Sequence, residues 1–153
     1  MTSILVTLKR TEADDKDFQA LVVLLDAELR DRDGEEHVFY AQFNSLERIR
    51  HVVLAYHNGM AVGCGAFRPY DEQTVEIKRM FVNHSLRGQG IAKSILTELE
   101  AWARENNYRQ CLLETGYNQP EAIALYQKSG YEQVANYGPY AGIGNSLCMK
   151  KEI

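Results

Sequence analysis

No stretch of this chain carries an apolar run of the roughly 20 residues that a membrane-spanning helix needs. The opening Met1-Thr-Ser-Ile-Leu-Val-Thr-Leu-Lys9 lacks the basic, apolar and small-residue order of a secretory leader, so a cytoplasmic protein is expected. A basic excess is also missing. Lys and Arg total 17 against 21 Asp and Glu, a formal net charge of -4, which argues against a general nucleic-acid binder. Cysteine is scarce and odd in number. Cys64, Cys111 and Cys148 sit in apolar, strand-like contexts and read as reduced, buried thiols rather than disulfides. Neither Cys64 nor Cys111 has a histidine nearby in sequence, so packing is a better account of them than an acyl-carrying nucleophile. The four histidines are scattered without metal-ligand spacing, and no metal is expected. No repeat, linker or low-complexity tract appears. The 153 residues suit one domain, 1–153, with a single buried core.

What is present is a readable succession of elements. Ile4 to Leu8 alternates as a first strand. Asp14-Asp15 offers N-caps to a helix whose stripe is Phe18, Leu21, Val22, Leu25 and Leu29, closed by Asp31-Arg-Asp-Gly34. Glu35 to Arg48 reads equally as a short helix or a loop, and its Phe39, Tyr40 and Phe43 suit either a tucked-on surface segment or a substrate-shaping lid. Strands follow at His51–His57 and Met60–Arg68 around the hairpin signal Asn58-Gly59, and a third at Thr74–Asn83 completes a meander. A helix runs to about Asn106, with Ile91, Ile95, Leu96, Leu99 and Ala103 on one face and Lys93, Thr97, Glu100 and Arg104 on the other. Arg109 to Glu114 is a strand that, after a crossover helix, should lie parallel to the one ending at Val82. A short helix opens at Gln119-Pro120 and stops at Gly130, before strands at Tyr131–Val134 and Ser146–Met149. The class is mixed α/β, mostly antiparallel, with helices on both faces of the sheet.

The turn between the third strand and its helix organises the rest. Its glycines, Gly88 and Gly90, let backbone approach an anion, the helix N-terminus aims unpaired N–H groups at one spot, and Arg87 can add a charged fork. A phosphate-binding P-loop is excluded because Arg87 and Ala92 stand where its two glycines belong, and a dinucleotide fingerprint because Lys93 stands at its third glycine. What fits is Arg/Gln-x-x-Gly-x-Gly/Ala, present as Arg87-Gly-Gln-Gly-Ile-Ala92. In this turn, and in its order of elements, the chain resembles the GNAT acetyltransferase superfamily.

The resemblance implies a GNAT fold whose fourth and fifth strands splay into a V-shaped cleft, with acetyl-CoA as cosubstrate. Its pyrophosphate would rest on Arg87, Gly88, Gln89, Gly90, Ile91 and Ala92. Its pantetheine arm would pair with the strand at Met80, Phe81 and Val82, an added strand made of ligand. The segment Glu114-Thr-Gly-Tyr-Asn-Gln-Pro-Glu-Ala-Ile-Ala-Leu-Tyr126 is similar to the family's stretch with Asn and then Leu-Tyr. Asn118 would then bond the pantetheine arm, and Tyr126 would protonate the leaving thiolate, although helix packing also accounts for Tyr126. Family members often carry a general base on the fourth strand, which points to Glu76 as the catalytic carboxylate. Cross-strand ion pairs, Arg68 with Glu76 and Lys78 with Glu114, are the structural alternative.

An N-acetyltransferase acting on the primary amine of a small molecule follows, with an amino-acid-like acceptor favoured. Arg79 would meet the acceptor's carboxylate unless it pairs with a structural acid, and Tyr40, Tyr137 and Tyr140 would wall the pocket. The chain 33–43 and the loop 137–144 form those walls. Two alternatives stay open: a catalytically idle acyl-CoA-binding sensor, and a protein or peptide acetyltransferase. The expected partners are a small-molecule amine and, as an open option, a second copy in a homodimer, with neither nucleic acid nor membrane.

Overall fold

A computed structural model describes residues 4–36 and 49–153. The elements are β1 (Thr7–Thr11), α1 (Lys16–Asp33), β2 (His51–His57), β3 (Met60–Pro69), β4 (Thr74–Val82), α2 (Ile91–Glu105), β5 (Gln110–Gly116), α3 (Pro120–Lys128), β6 (Glu132–Val134) and β7 (Ser146–Glu152). Seven strands form one sheet in the order β1-β2-β3-β4-β5-β7-β6, and only β4 and β5 run parallel. The architecture is the expected mixed, mostly antiparallel α/β sheet. The expectations for Glu35 to Arg48, including Phe39, Tyr40 and Phe43, fall largely outside the described residues.

Local chemistry explains the boundaries. Asp15 caps α1 by accepting from the N–H groups of Asp17 and Phe18, and Gly34 at φ 57° ends it with its N–H on the Arg30 carbonyl. At the hairpin, Asn58 and Gly59 take φ of 52° and 76°, a pair of positive values that tight two-residue turns demand. The first strand starts later than the alternation suggests. Ile4, Val6 and Leu8 do pack against the core, but the ladder with β2 begins at Thr7 and runs through Lys9 and Arg10. Those two charges suit an edge strand, where they pair with Asp15 and with Glu98 and Glu105.

α1 covers one face of the sheet, setting Phe18, Leu21, Val22 and Leu25 on Val52, Leu54, Cys64, Ala66 and Phe81. α2 covers the other, setting Ile91, Ile95, Leu96, Leu99 and Ala103 on Val53, Phe67, Val75, Ile77 and Leu113. One residue of α2 departs from the expected pattern. Glu100 is buried, because it lies beside the apolar stripe and accepts from the Tyr131 hydroxyl and the Lys151 ammonium. The three cysteines are buried and free, and burial pushes the Cys64 and Cys111 thiols up to about 12, which makes them unreactive.

Two irregularities in β4 create the cleft. The pairing with β3 jumps from Cys64–Phe81 to Ala66–Lys78, so Arg79 and Met80 bulge opposite Gly65. Arg79 takes φ 61°, and a β-carbon on Gly65 would lie 2.4 Å from the Met80 sulfur, so that packing needs glycine. On its other edge β4 pairs with β5 only from Thr74 to Glu76. Beyond Glu76 the two parallel strands part.

Candidate active site

The gap between the diverging strands is a cleft of about 630 Å³. β4 from Ile77 to Val82 floors one side, Glu114 to Gly116 and α3 the other, and α1 crosses it with Leu25, Glu28, Leu29, Arg32 and Asp33. Ligands of open α/β sheets collect where neighbouring strands separate beyond their C-terminal ends, and this is such a place.

At one end stands the glycine turn. Gly88 and Gly90 have φ of 79° and 85°, and Gly90 caps α2 in the left-handed conformation. Gly88, Gly90, Ile91 and Ala92 all line the cleft, at the start of a helix whose first N–H groups lack intrahelical acceptors. The Arg87 side chain is anchored: Nε donates to the Val82 carbonyl at 2.9 Å and Nη2 to Glu28 at 2.7 Å, over the Phe81 ring. It fixes the turn against strand and helix while still lining the cleft.

At the other end are the ionisable groups. Alternation puts Glu76, Lys78 and Glu114 on the α1 side of the sheet, since Lys78 pairs with Ala66 and Glu76 with Arg68 and Leu112. The bulge brings Arg79 to the same side, where Nη2 donates to Asp26 of α1 at 2.6 Å. The side chain of Arg79 is only 2% exposed, and its Nε has no partner among the described residues. Glu76 is 3% exposed and has both oxygens engaged: Arg68 Nε donates to one at 2.9 Å, and the Tyr137 hydroxyl to the other at 2.7 Å. It does not line the cleft. The Arg68–Glu76 pair expected across the strands is present, whereas Lys78 and Glu114 make no direct ion pair among the described residues.

Glu114 does line the cleft. Burial pushes its carboxyl up to about 7, partly offset by the Ser146 hydroxyl and the Lys78 charge. Lys78 also lines it, with Nζ 3.4 Å from the Tyr140 hydroxyl, and burial lowers its pKa. Tyr126 faces the cleft from α3, and burial raises its phenol well above the ordinary range, with the nearby Glu114 charge adding to the shift. Tyr140 is a cleft residue, and Tyr137 stacks edge-on between Tyr70 and Tyr140 outside it. Asn118 is exposed and clasped to Arg32: its Nδ2 donates to the Arg32 carbonyl, and its own carbonyl accepts from Arg32 Nη1. Arg32 also forks onto Glu121, so the end of α1 is tied to the start of α3 across the mouth of the cleft.

The structure thus gathers the glycine turn, Met80 to Val82, Tyr126, Tyr140 and Arg79 around one cavity, and leaves Glu76, Tyr137 and Asn118 at its margin. Glu114 is the group that sequence reasoning passed over as an ion-pair partner. Its signal was a carboxylate on the C-terminal end of an apolar strand, next to the expected divergence. The model of the acetyltransferase (GNAT) family matches residues 18–131.

The chain belongs to the GNAT acetyltransferase family. An enzyme named IAA acetyltransferase from Azospirillum brasilense is 39% identical over 102 residues, 66% of this chain and 67% of that protein. A Klebsiella pneumoniae structure, provisionally named an acyl-CoA N-acyltransferase, superposes with a TM-score of 0.81 at 30% identity over 97% of both chains. A GNAT enzyme from Elizabethkingia anophelis, solved with acetyl-CoA bound, shares the fold at a TM-score of 0.70 and 20% identity, over 97% of this chain and 98% of that one. This GNAT member therefore has the fold and family of acyl-CoA-dependent N-acetyltransferases, and no described helix is long and apolar enough to cross a membrane.

Proposed function

We propose that the protein transfers the acetyl group of acetyl-CoA to the primary amine of a small molecule, with Glu114 as proton acceptor and Tyr126 beside the leaving sulfur. The observation that carries this is the meeting of Glu114 and Tyr126 in one cleft that begins at the glycine turn. Pyrophosphate on the N–H groups of 86–92 would leave the pantetheine arm against the edge of β4 that has no strand partner past Glu76, beside Met80 and Val82. Asn118 stands at the margin of the cleft with its Nδ2 on the Arg32 carbonyl.

The chemistry balances simply. The acceptor's ammonium yields a proton to Glu114, and the freed nitrogen lone pair attacks the thioester carbonyl carbon. The tetrahedral adduct collapses with cleavage of the C–S bond. The departing sulfur is hydrogen-bonded by Tyr126 and takes its proton, and the phenolate regains one from the amide nitrogen as that nitrogen loses its second. Glu114 returns its proton to solvent. The products are an acetamide, free CoA thiol and one released proton. A carboxyl titrating near 7 is half ready to accept a proton at neutral pH, which suits a base. The buried phenol stays protonated until the sulfur leaves, which suits a donor to that atom.

Glu76 is the second carboxylate on this face, and its engagement with Arg68 and Tyr137 supports a positioning role instead. It holds the 137–144 loop against the sheet. Tyr126 and Tyr140 on the cleft wall, with Tyr137 packed behind Tyr140, also favour a small acceptor over a polypeptide. The test is CoA-thiol release from acetyl-CoA across a panel of amines, amino acids and short peptides. Turnover on small amines that falls in E114Q and Y126F supports the proposal. Acetyl-CoA binding with no turnover on any amine supports the idle-sensor reading and overturns it.

A further inference from the structure

Among the described residues, the charges around the acceptor end of the cleft sort into pairs, with two exceptions. Arg68 on β3 holds Glu76, and Arg79 on β4 holds Asp26 of α1. Asp33 of α1 also faces the cleft and has its own partner. Lys78 and Glu114 remain, one on each of the diverging strands and on the same side of the sheet. Both line the same cleft, yet no carboxylate among the described residues lies within 4.0 Å of the Lys78 ammonium. Its one hydrogen bond there is the long contact of 3.4 Å with Tyr140. A half-buried cation and a half-buried anion that line one cleft without pairing are each incompletely compensated, and such charges are costly unless a partner completes them.

We infer that Lys78 is the carboxylate anchor of the acceptor site, and that the acceptor is a primary amine carrying a nearby carboxylate, an amino acid or a compound built like one. The inference rests on the acetyl-transfer proposal above. A zwitterion set across the strand divergence places its carboxylate on Lys78 and its ammonium on Glu114. The four charges then alternate in sign and sum to zero, so both protein groups gain their missing partner at once. The ammonium is thereby delivered to the group that must take its proton. The Tyr140 hydroxyl, already beside Nζ, can donate to the same carboxylate. Arg79 is a poorer fit to this role, because its side chain is only 2% exposed and its Nη2 is already held by Asp26. Arg79 drew the sequence reading because a guanidinium is well shaped for a carboxylate, but the bulge turns it toward α1 and onto Asp26.

The experiment compares matched acceptors: L-leucine with isopentylamine, L-phenylalanine with phenethylamine, and β-alanine with ethylamine. Steady-state CoA-thiol release is recorded for the wild type, K78M and K78R, with folding checked by thermal melting. The wild type is expected to favour the carboxylate-bearing member of a pair by about 10–100-fold in kcat/KM, the scale of a charge-assisted contact. K78M should raise KM for that member and bring the pair near parity, and K78R should recover much of the preference. Equal rates on both members in the wild type overturn the inference while leaving amine acetylation standing. A preference that survives in K78M overturns it too and moves recognition to another cation. Turnover on neither member of any pair overturns the acetyl-transfer proposal itself. Should K78M fail to fold, K78Q replaces it, and the wild-type comparison decides on its own whether a carboxylate is read.

Discussion

The two faces of β4 are built from alternate residues of the same nine, and they have nothing else in common. Toward α2 point Val75 and Ile77, in the apolar cluster that holds Leu96, Leu99 and Leu113. Toward α1 point Glu76 and Lys78, joined by Arg79 through the bulge and by Glu114 from β5. One face is wholly apolar packing onto α2, and the other carries buried and half-buried charges beside the cleft. The strand tolerates this only because each charge on the second face is partnered, or stands where a ligand can partner it. A second contrast lies within the charged face. Glu76 and Glu114 flank the point where β4 and β5 part, but Glu76 has both oxygens occupied and Glu114 faces the cleft.

Breaking the second contrast should have the largest effect. E114Q keeps the shape and the hydrogen-bonding capacity but cannot accept a proton, and kcat should fall by about 10²–10⁴-fold, measured with saturating acetyl-CoA. Y126F should follow at about 10²-fold, with little change in acetyl-CoA affinity by calorimetry. On the apolar face, Leu99→Ala should cost about 2–5 kcal/mol of stability, read by chemical denaturation, because Leu99 is fully buried among α2 and sheet side chains.

The charged face also makes a stability prediction. The Glu114 carboxyl titrates higher folded than unfolded, so its favourable contribution is complete below the ordinary carboxylate pKa and is lost as pH rises through about 7. E114Q should therefore be more stable than the wild type at pH 8 by up to about 3 kcal/mol, with the gap closing toward pH 4, in melts across that range. Equal stabilities at pH 8 would mean that Glu114 is not held in a costly setting. The smallest effect is expected at the rim. Glu121→Gln breaks an exposed pair with Arg32 and should shift stability by less than about 1 kcal/mol.

Much of this layout could be read from the residues. The hairpin at Asn58-Gly59, the capped helix from Lys16, the crossover that makes β5 parallel to β4, and the Arg87 to Ala92 turn all rest on local signals, and each stands where those signals put it. The bulge at Arg79 was beyond reach for a different reason. It depends on Gly65, fifteen residues earlier by pairing partner, leaving room for the Met80 sulfur, and that is a tertiary fact. The same holds for Glu114. Its residue type and strand were legible, but its burial and its separation from Lys78 come from how far two parallel strands diverge. Glu100 shows the rule on the other face, since its burial rests on Tyr131, just before β6, and Lys151 of β7.

The most direct test sets the two carboxylates against each other in one experiment. The pH dependence of kcat/KM is measured from pH 5.5 to 9 for the wild type, E76Q and E114Q with one acceptor. The account predicts a rising limb with an inflection near 7 in the wild type that persists in E76Q, whatever that variant loses in stability, and disappears in E114Q. An inflection that persists in E114Q and vanishes in E76Q would make Glu76 the proton acceptor and contradict the account.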